Sequence, residues 1–195
     1  MSTTMRFAYA DPPYLGRGEY YAAHHPDAMA WDDPETHRAL INRLANGFDG
    51  WALSLSEDSL RVILPMCPEG ARVCAWITAR PRYSGNNAGI RRHFEPVIVW
   101  GGRNMKNRAG DYIVTAPEAT GEPRYPMVKE DIRAGKTFLG RKPQAFCRWV
   151  LDLLGVQPGD TVDDMFPGSG AVGHAIAERL QLQPQPFGLF AEITP

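Results

Sequence analysis

A glycine-rich turn near the C-terminus is the sequence feature that most constrains the fold. Residues 164–173 are Asp-Met-Phe-Pro-Gly-Ser-Gly-Ala-Val-Gly, between a predicted strand at 161–165 and a predicted helix at 171–180. An open α/β sheet binds nucleotides at such a turn, because glycines let the backbone approach the ligand and the helix N-terminus offers free N–H groups. Gly168, Gly170 and Gly173 also satisfy G-x-G-x-x-G, which indicates a cofactor that contains adenosine without saying which one.

The rest of the chain alternates short apolar runs with helical patterns. Helices are predicted at 34–45, 59–64 and 143–154, and strands at 6–10, 51–55, 71–78, 95–100 and 187–193. Such alternation predicts a Rossmann-like α/β fold with a mostly parallel, doubly wound sheet. With 195 residues and 44% hydrophobic content, we expect a single domain, 1–195. Its halves, about 1–100 and 140–195, flank a polar, loop-dominated insertion at about 101–139.

Asp11-Pro12-Pro13-Tyr14 directly follows the first apolar strand. Because proline cannot continue a central strand, we expect Asp11 and Tyr14 at the carboxyl edge of the sheet. The exocyclic amine of a base is a poor nucleophile, since its lone pair is delocalised into the ring. Hydrogen bonds from this amine to the Asp11 carboxylate and the Pro12 carbonyl would favour a tetrahedral nitrogen. Tyr14 offers a face on which a flipped-out base can stack. The alternative is an ordinary turn.

Together the two motifs resemble those of the DNA amino-methyltransferases, specifically the permuted β group, in which Asp-Pro-Pro-Tyr precedes the cofactor-binding half. Gly140-Arg141-Lys142-Pro143 is similar to the family's Lys-Pro element, and 187–193 is similar to its next strand with a terminal acid. The resemblance is specific over about residues 5–14 and 140–193. It implies a circularly permuted methyltransferase fold that methylates adenine N6 in double-stranded DNA, with the target base flipped out.

The resemblance also implies roles for individual residues. Asp11, Pro12, Pro13 and Tyr14 would be catalytic. The cofactor would be S-adenosylmethionine, with Lys142 near its methionine end and Glu192 at its ribose. The turn would complete the cofactor site with Asp164, Phe166, Gly168, Ser169 and Gly170.

Other functions stay open at this stage. Cytosine N4 and RNA adenine present the same amine chemistry, and a catalytically silent nucleic-acid-binding relative would keep the fold. A nicotinamide-dependent oxidoreductase could use the glycine turn, but it leaves Asp-Pro-Pro-Tyr unexplained.

A basic segment is the candidate contact for nucleic acid. The formal net charge of the chain is −1, so the whole molecule does not attract polyanions and a local patch is required. Between residues 80 and 108, seven basic residues face one acid, Glu95, which gives a local charge of +6. The predicted phosphate contacts are Arg80, Arg82, Arg91, Arg92, Arg103 and Lys106, and the alternative is a solvated loop.

The remaining features give weaker expectations. Three cysteines without C-x-x-C spacing indicate neither a disulfide framework nor a zinc site, and no metal is assigned. No apolar run is long enough for a membrane span, so we expect a cytoplasmic protein. The resemblance allows a homodimer. Trp76 and Trp149 are expected to pack in the core. An irregular loop follows Asp-Pro-Pro-Tyr and could close over the base; it contains Tyr20, Tyr21, His24, His25 and Trp31.

Overall fold

The computed structural model describes residues 3–22, 26–82, 92–105, 108–115 and 142–181. Its strands are β1 (Arg6–Ala10), β2 (Gly50–Ser54), β3 (Arg72–Arg82), β4 (Arg92–Gly101), β5 (Tyr112–Thr115) and β6 (Thr161–Asp164). Its α-helices are α1 (Pro34–Gly47), α2 (Glu57–Ile63), α3 (Gln144–Leu154) and α4 (Ala171–Leu180). The predicted strand at 187–193 lies outside the described residues.

The described strands form one sheet in the order β5-β3-β4-β2-β1-β6. β1 is parallel to both of its neighbours, with Phe7 opposite Gly50 of β2 and opposite Val162 of β6. Because the glycine turn and Asp-Pro-Pro-Tyr must meet at one cofactor, the sequence predicts that the Thr161, Phe7 and Trp51 strands are neighbours in that order. The structure confirms this order. The first strand of the chain thus lies beside a strand from its C-terminal part.

β4 is the exception in the mostly parallel sheet that the sequence predicts, because the other five described strands all run in one direction. β4 is antiparallel to both β2 and β3, with Val97 opposite Ser54 and Gly101 opposite Gly50. The connection between β3 and β4, residues 83–91, is shorter than the roughly dozen residues that a parallel crossover needs. The sheet is therefore mixed, and the amino end of β4 lies at the edge where β1 and β2 end.

The predicted insertion at 101–139 contains a strand that its sequence does not indicate. Its residues 112–115 form β5, which pairs with β3 in parallel. Four residues in a polar segment give too short a pattern to indicate a strand by alternation.

Helices cover both faces of the sheet, as the doubly wound prediction requires. Phe7 and Tyr9 pack in the cluster that includes α3 and α4, whereas Ala8 and Ala10 pack in the cluster that includes α1 and α2. Successive residues of a strand point to opposite faces, and these four are at most 1% exposed. β1 therefore lies at the centre of the fold. Trp76 and Trp149, at 2% and 5% exposed, pack in the core as predicted, in the same cluster as Phe146.

Helix boundaries follow from local capping. The Asp33 side chain accepts a hydrogen bond from the N–H of Glu35 at 3.0 Å, and Pro34 occupies the first position of α1. α3 ends at Leu154 and is capped by Gly155, which has φ 72°. Among the described helices, none combines the length and apolar character needed to cross a membrane.

Candidate active site

The two predicted motifs meet at one edge of the sheet. β1 ends at Ala10 and β6 at Asp164, and the two strands are parallel with Tyr9 opposite Asp164. The N–H of Met165 donates to the carbonyl of Tyr9 at 2.9 Å, so the glycine turn starts beside Asp11. The predicted common edge is confirmed.

Asp11 follows β1 with 21% of its side chain exposed. Pro12 is buried, and because it has no N–H it ends the ladder of β1. The chain then turns: the N–H of Arg17 donates to the Tyr14 carbonyl at 2.8 Å, with Gly16 at φ 75° in the position where such a turn needs glycine. The Tyr14 hydroxyl lies 3.3 Å from Oδ1 of Asp11.

A buried lysine joins Asp11 and Tyr14 to a second carboxylate, Glu95. Lys142 Nζ lies 3.1 Å from Oδ2 of Asp11, 3.0 Å from the Tyr14 hydroxyl and 3.4 Å from Oε2 of Glu95. The Tyr14 hydroxyl is also 3.1 Å from Oε2 of Glu95. We call these four residues the acid–lysine cluster. Its centre is the Lys142 side chain, which is 5% exposed.

Aromatic rings surround the ammonium group of Lys142. Nζ lies 5.5 Å from the ring centres of Tyr14 and Trp76 and 5.8 Å from that of Phe146. Rings at this distance attract a cation and exclude water from it. The resemblance places Lys142 near the methionine end of the cofactor, whereas the structure places its ammonium group against Asp11.

Glu95 is a member of this site that the sequence analysis did not identify. It lies in β4 in the segment Phe-Glu-Pro-Val-Ile-Val-Trp and is 7% exposed. A buried carboxylate is strongly unfavourable unless it is paired, so a single acid in an apolar strand indicates a nearby partner. The sequence therefore indicates that Glu95 has a partner, but it does not identify Lys142 or Tyr14, because both are far from Glu95 in the chain.

Asp164 is the titratable group at the start of the glycine turn. Its Oδ1 accepts a hydrogen bond from the N–H of Phe166 at 3.3 Å, whereas its buried Oδ2 has no partner at hydrogen-bond geometry within the described ranges. The backbone N–H of Gly173 is nevertheless close enough to oppose the rise in the pKa of this carboxyl. Burial raises the pKa of Asp164 to about 7, and the nearby charge of Asp11 contributes to the rise. A buried oxygen without a donor is suited to a ligand that supplies an N–H group or a positive charge.

The glycine turn itself needs glycine at two positions. Gly168 has φ 45° and Gly170 has φ 74°, in the left-handed region that other residues rarely adopt. Gly168 and Ser169 are exposed at the surface. α4 begins at Ala171, directly after the turn, so its first unpaired N–H groups lie next to it.

The loop that follows Tyr14 is more ordered than its sequence indicates. It contains two short 3-10 helices, Gly18–Tyr21 and Ala28–Asp32. Trp31 packs edge-on against Phe166 with ring centres 5.0 Å apart, so this loop contacts the glycine turn. Tyr20 is 59% exposed. Two residues of the predicted loop lie outside the described ranges, His24 and His25.

Three of the predicted phosphate-binding residues lie on strands that extend toward the Asp11 edge. In the backbone register Arg82 is opposite Arg92, well beyond the pair Val97 and Ser54 where β2 ends. The backbone of Arg80 belongs to the same projecting end of β3. The described residues do not include Arg91, Lys106 or the predicted ribose ligand, Glu192.

Arg103 lies at the opposite edge of the sheet, in contrast to the predicted phosphate contact. It follows the carboxyl end of β4, and because β4 is antiparallel this end is remote from Asp11. Its guanidinium forms an ion pair with Asp160 and donates to the carbonyls of Gly155 and Thr3. The Arg103 side chain is 12% exposed. Arg103 therefore connects the segments that precede β1 and β6.

No protein-family model matches the sequence, and no curated protein matches it. Solved structures do match in three dimensions. The PvuII DNA methyltransferase, described as cytosine-N4-specific, gives a TM-score of 0.60 at 16% identity over 90% of this chain and 72% of its own. The fold of this chain is similar to that of this DNA methyltransferase.

The crystal structure of the M1.HpyAVI–SAM complex is also similar, with a TM-score of 0.51 at 16% identity over 92% of this chain and 80% of the other. A second M1.HpyAVI structure gives a TM-score of 0.50. At this identity the likeness is one of fold, and it confirms the predicted Rossmann-like methyltransferase class. In this methyltransferase fold the acid–lysine cluster and the glycine turn share one edge of the sheet.

Proposed function

We propose that this protein is an S-adenosylmethionine-dependent methyltransferase that acts on the exocyclic amine of a DNA base, with adenine N6 as the target. One observation carries the proposal: Asp11, a carboxylate suited to bind an amine, lies beside the glycine turn at the same edge of a methyltransferase fold. The circular permutation of the motif order is part of the proposal.

The residues of the turn fit this cofactor. S-adenosylmethionine has a positively charged ammonium group, and the partnerless Oδ2 of Asp164 is a buried acceptor for such a donor. Gly168 and Gly170 leave room for close approach of a ligand, and the first N–H groups of α4 can bind its polar atoms. Phe166, Ser169 and Glu192 complete the proposed cofactor site. When bound, the cofactor supplies an electrophilic methyl group on its sulfonium.

The chain's own residues prepare the amine. The Asp11 carboxylate accepts a hydrogen bond from it, and the bond strengthens as the nitrogen becomes tetrahedral and positive. The Pro12 carbonyl is the proposed second acceptor, with its direction limited by Pro12 and Pro13. The Tyr14 hydroxyl is held by the acid–lysine cluster, so its ring has a fixed position for stacking on the base.

The target base is proposed as adenine because a purine offers more ring area than a pyrimidine for stacking on Tyr14. Cytosine N4 is the second candidate, since the amine chemistry is the same and one structural neighbour is described as cytosine-N4-specific. For DNA, the projecting ends of β3 and β4 bring the backbone of Arg80, Arg82 and Arg92 to the active-site edge. These residues, with Arg91 and Lys106, are the proposed phosphate contacts for double-stranded DNA with a flipped-out base.

Nucleoside mass spectrometry of DNA from cells that express the protein tests this function. We expect N6-methyladenine in cells with the wild-type protein and none with Asp11→Ala. N4-methylcytosine in its place would select the second target, and methylated adenine only in RNA would remove the DNA proposal. Calorimetric titration should give binding of S-adenosylmethionine but not of NAD. Binding of NAD alone would contradict the proposed cofactor.

A further inference from the structure

Glu95 adds a second buried carboxylate to the site, and the proposed roles of Asp11 and the glycine turn do not account for it. Its side chain is 10% exposed, and its Oε2 lies within hydrogen-bond distance of both Lys142 and Tyr14. A buried pair of one carboxylate and one ammonium group would already be formally neutral. The second carboxylate therefore requires its own physical reason.

Lys142 holds the two carboxylates and the hydroxyl together. An ammonium group has three hydrogens, and three oxygen acceptors surround Nζ at 3.0 to 3.4 Å: the Tyr14 hydroxyl, Oδ2 of Asp11 and Oε2 of Glu95. The Tyr14 hydroxyl has a single hydrogen, and its shorter contact is with Glu95 rather than with Asp11. The contacts of Glu95 with Lys142 and Tyr14 thus draw positive charge and donated hydrogen away from Asp11.

The formal charges give a reason for this arrangement. With only Lys142 opposite it, Asp11 would belong to a neutral ion pair, and its carboxylate would be a weaker acceptor for an amine that becomes positive. With Glu95 present, two carboxylates share one ammonium group, so the cluster carries a formal charge of −1. In a water-poor site, such a charge favours a positive transition state.

We propose that Glu95 is a positioning residue of the methyl-transfer reaction, which balances the charge of Lys142 so that Asp11 keeps a negative charge for the target amine. This inference rests on the proposed function. In this role Glu95 does not touch the base or the cofactor and acts through Lys142 and Tyr14.

Glu95→Gln tests the role of the charge, because glutamine keeps the shape and an acceptor oxygen. We expect the single-turnover rate of methyl transfer from S-adenosylmethionine to duplex DNA to fall about 10- to 100-fold. The dissociation constants of cofactor and DNA should stay within about threefold. Asp160→Asn is the matched control, since it removes another buried carboxylate at the opposite edge of the sheet. At a temperature well below its unfolding transition, this control should keep the wild-type rate.

A double variant separates this role from a purely structural one. Lys142→Met removes the charge that Glu95 balances, so adding Glu95→Gln to it should cause no further 10-fold loss of rate. If the losses of the two single variants multiply, Glu95 does not act through Lys142 and the inference is wrong. It is equally wrong if Glu95→Gln keeps the wild-type rate while the wild-type protein is active. A wild-type protein that transfers no methyl group refutes the proposed function and the inference together.

Discussion

Asp164→Asn should stabilise the protein at neutral pH in the absence of cofactor. Burial raises the pKa of Asp164 from 3.8 to about 7, which means that the folded protein binds this proton more tightly than the unfolded chain. The associated stability is fully present below about pH 4 and is lost as the pH rises through about 7. Asparagine has no charge to bury, so the variant does not lose stability in this range.

The expected magnitude follows from the size of the pKa shift. A shift of about three units, at about 1.4 kcal/mol each, corresponds to about 4 kcal/mol between pH 4 and pH 7. Between pH 5 and pH 8, about two of those units remain, or about 3 kcal/mol. The difference in unfolding free energy between Asp164→Asn and the wild type should therefore grow by about 3 kcal/mol over that interval.

Urea denaturation at several pH values measures this difference directly. Asp163→Asn is the matched control: it is the neighbouring residue, its side chain is 40% exposed, and it pairs with Arg6 at the surface. Its effect should stay within about 1 kcal/mol at every pH. Parallel stability curves for Asp164→Asn and the wild type would refute the assignment of a raised pKa to Asp164.

Three further outcomes are expected. Gly170→Ala should weaken cofactor binding at least 10-fold in calorimetry. Its control is Gly159→Ala, at a residue with φ 93° and open space around it, which should cause a similar backbone strain and leave cofactor affinity unchanged. Equal cofactor affinities of the two variants would contradict the proposed site. Arg103→Leu should lower the unfolding free energy by about 1.5 to 3 kcal/mol, because Asp160 loses its ion-pair partner but keeps the backbone N–H donors of Met5 and Gln157. It should leave DNA affinity within about threefold in fluorescence anisotropy; a large loss of DNA binding would restore the phosphate contact. Tyr14→Ala should weaken base binding by about 1–3 kcal/mol in the same assay, and Tyr14→Phe should keep most of it, since the ring is retained; equal losses would exclude stacking.

The sequence predicts the centre of the fold well, for physical reasons. β1 is apolar on both faces, and Pro12 cannot continue its ladder, so the strand and its end are both fixed by local chemistry. The glycine turn similarly requires a strand before it and a helix after it. That β1 and β6 are neighbours follows because both motifs must reach one ligand.

The direction of β4 could not be predicted from its own residues. An apolar run in a strand has the same pattern in either direction, and only the length of the connection to β3 indicates a reversal. The positions of two residues depend on this direction. Arg103 would lie at the Asp11 edge if β4 were parallel, and Glu95, at the amino end of β4, would lie at the opposite edge.

The acid–lysine cluster was only partly predictable, because it depends on contacts between distant parts of the chain. Asp11 and Tyr14 are close in sequence, but Lys142 is 128 residues from Tyr14 and Glu95 lies on a separate strand. No local pattern states which acid a buried lysine will contact. The partnerless oxygen of Asp164 likewise becomes visible only when its surroundings are known.

The most direct measurement of the central claim is single-turnover methylation of an adenine-containing duplex by Asp11→Ala. The variant should bind S-adenosylmethionine within a few-fold of the wild type, because Asp11 acts on the amine. Its methyl-transfer rate should fall by about 10²–10³, the typical loss for one preorganised hydrogen-bond partner of a transition state. An Asp11→Ala protein that methylates adenine at the wild-type rate would show that the chemistry lies elsewhere and that Asp-Pro-Pro-Tyr is only a turn in this chain.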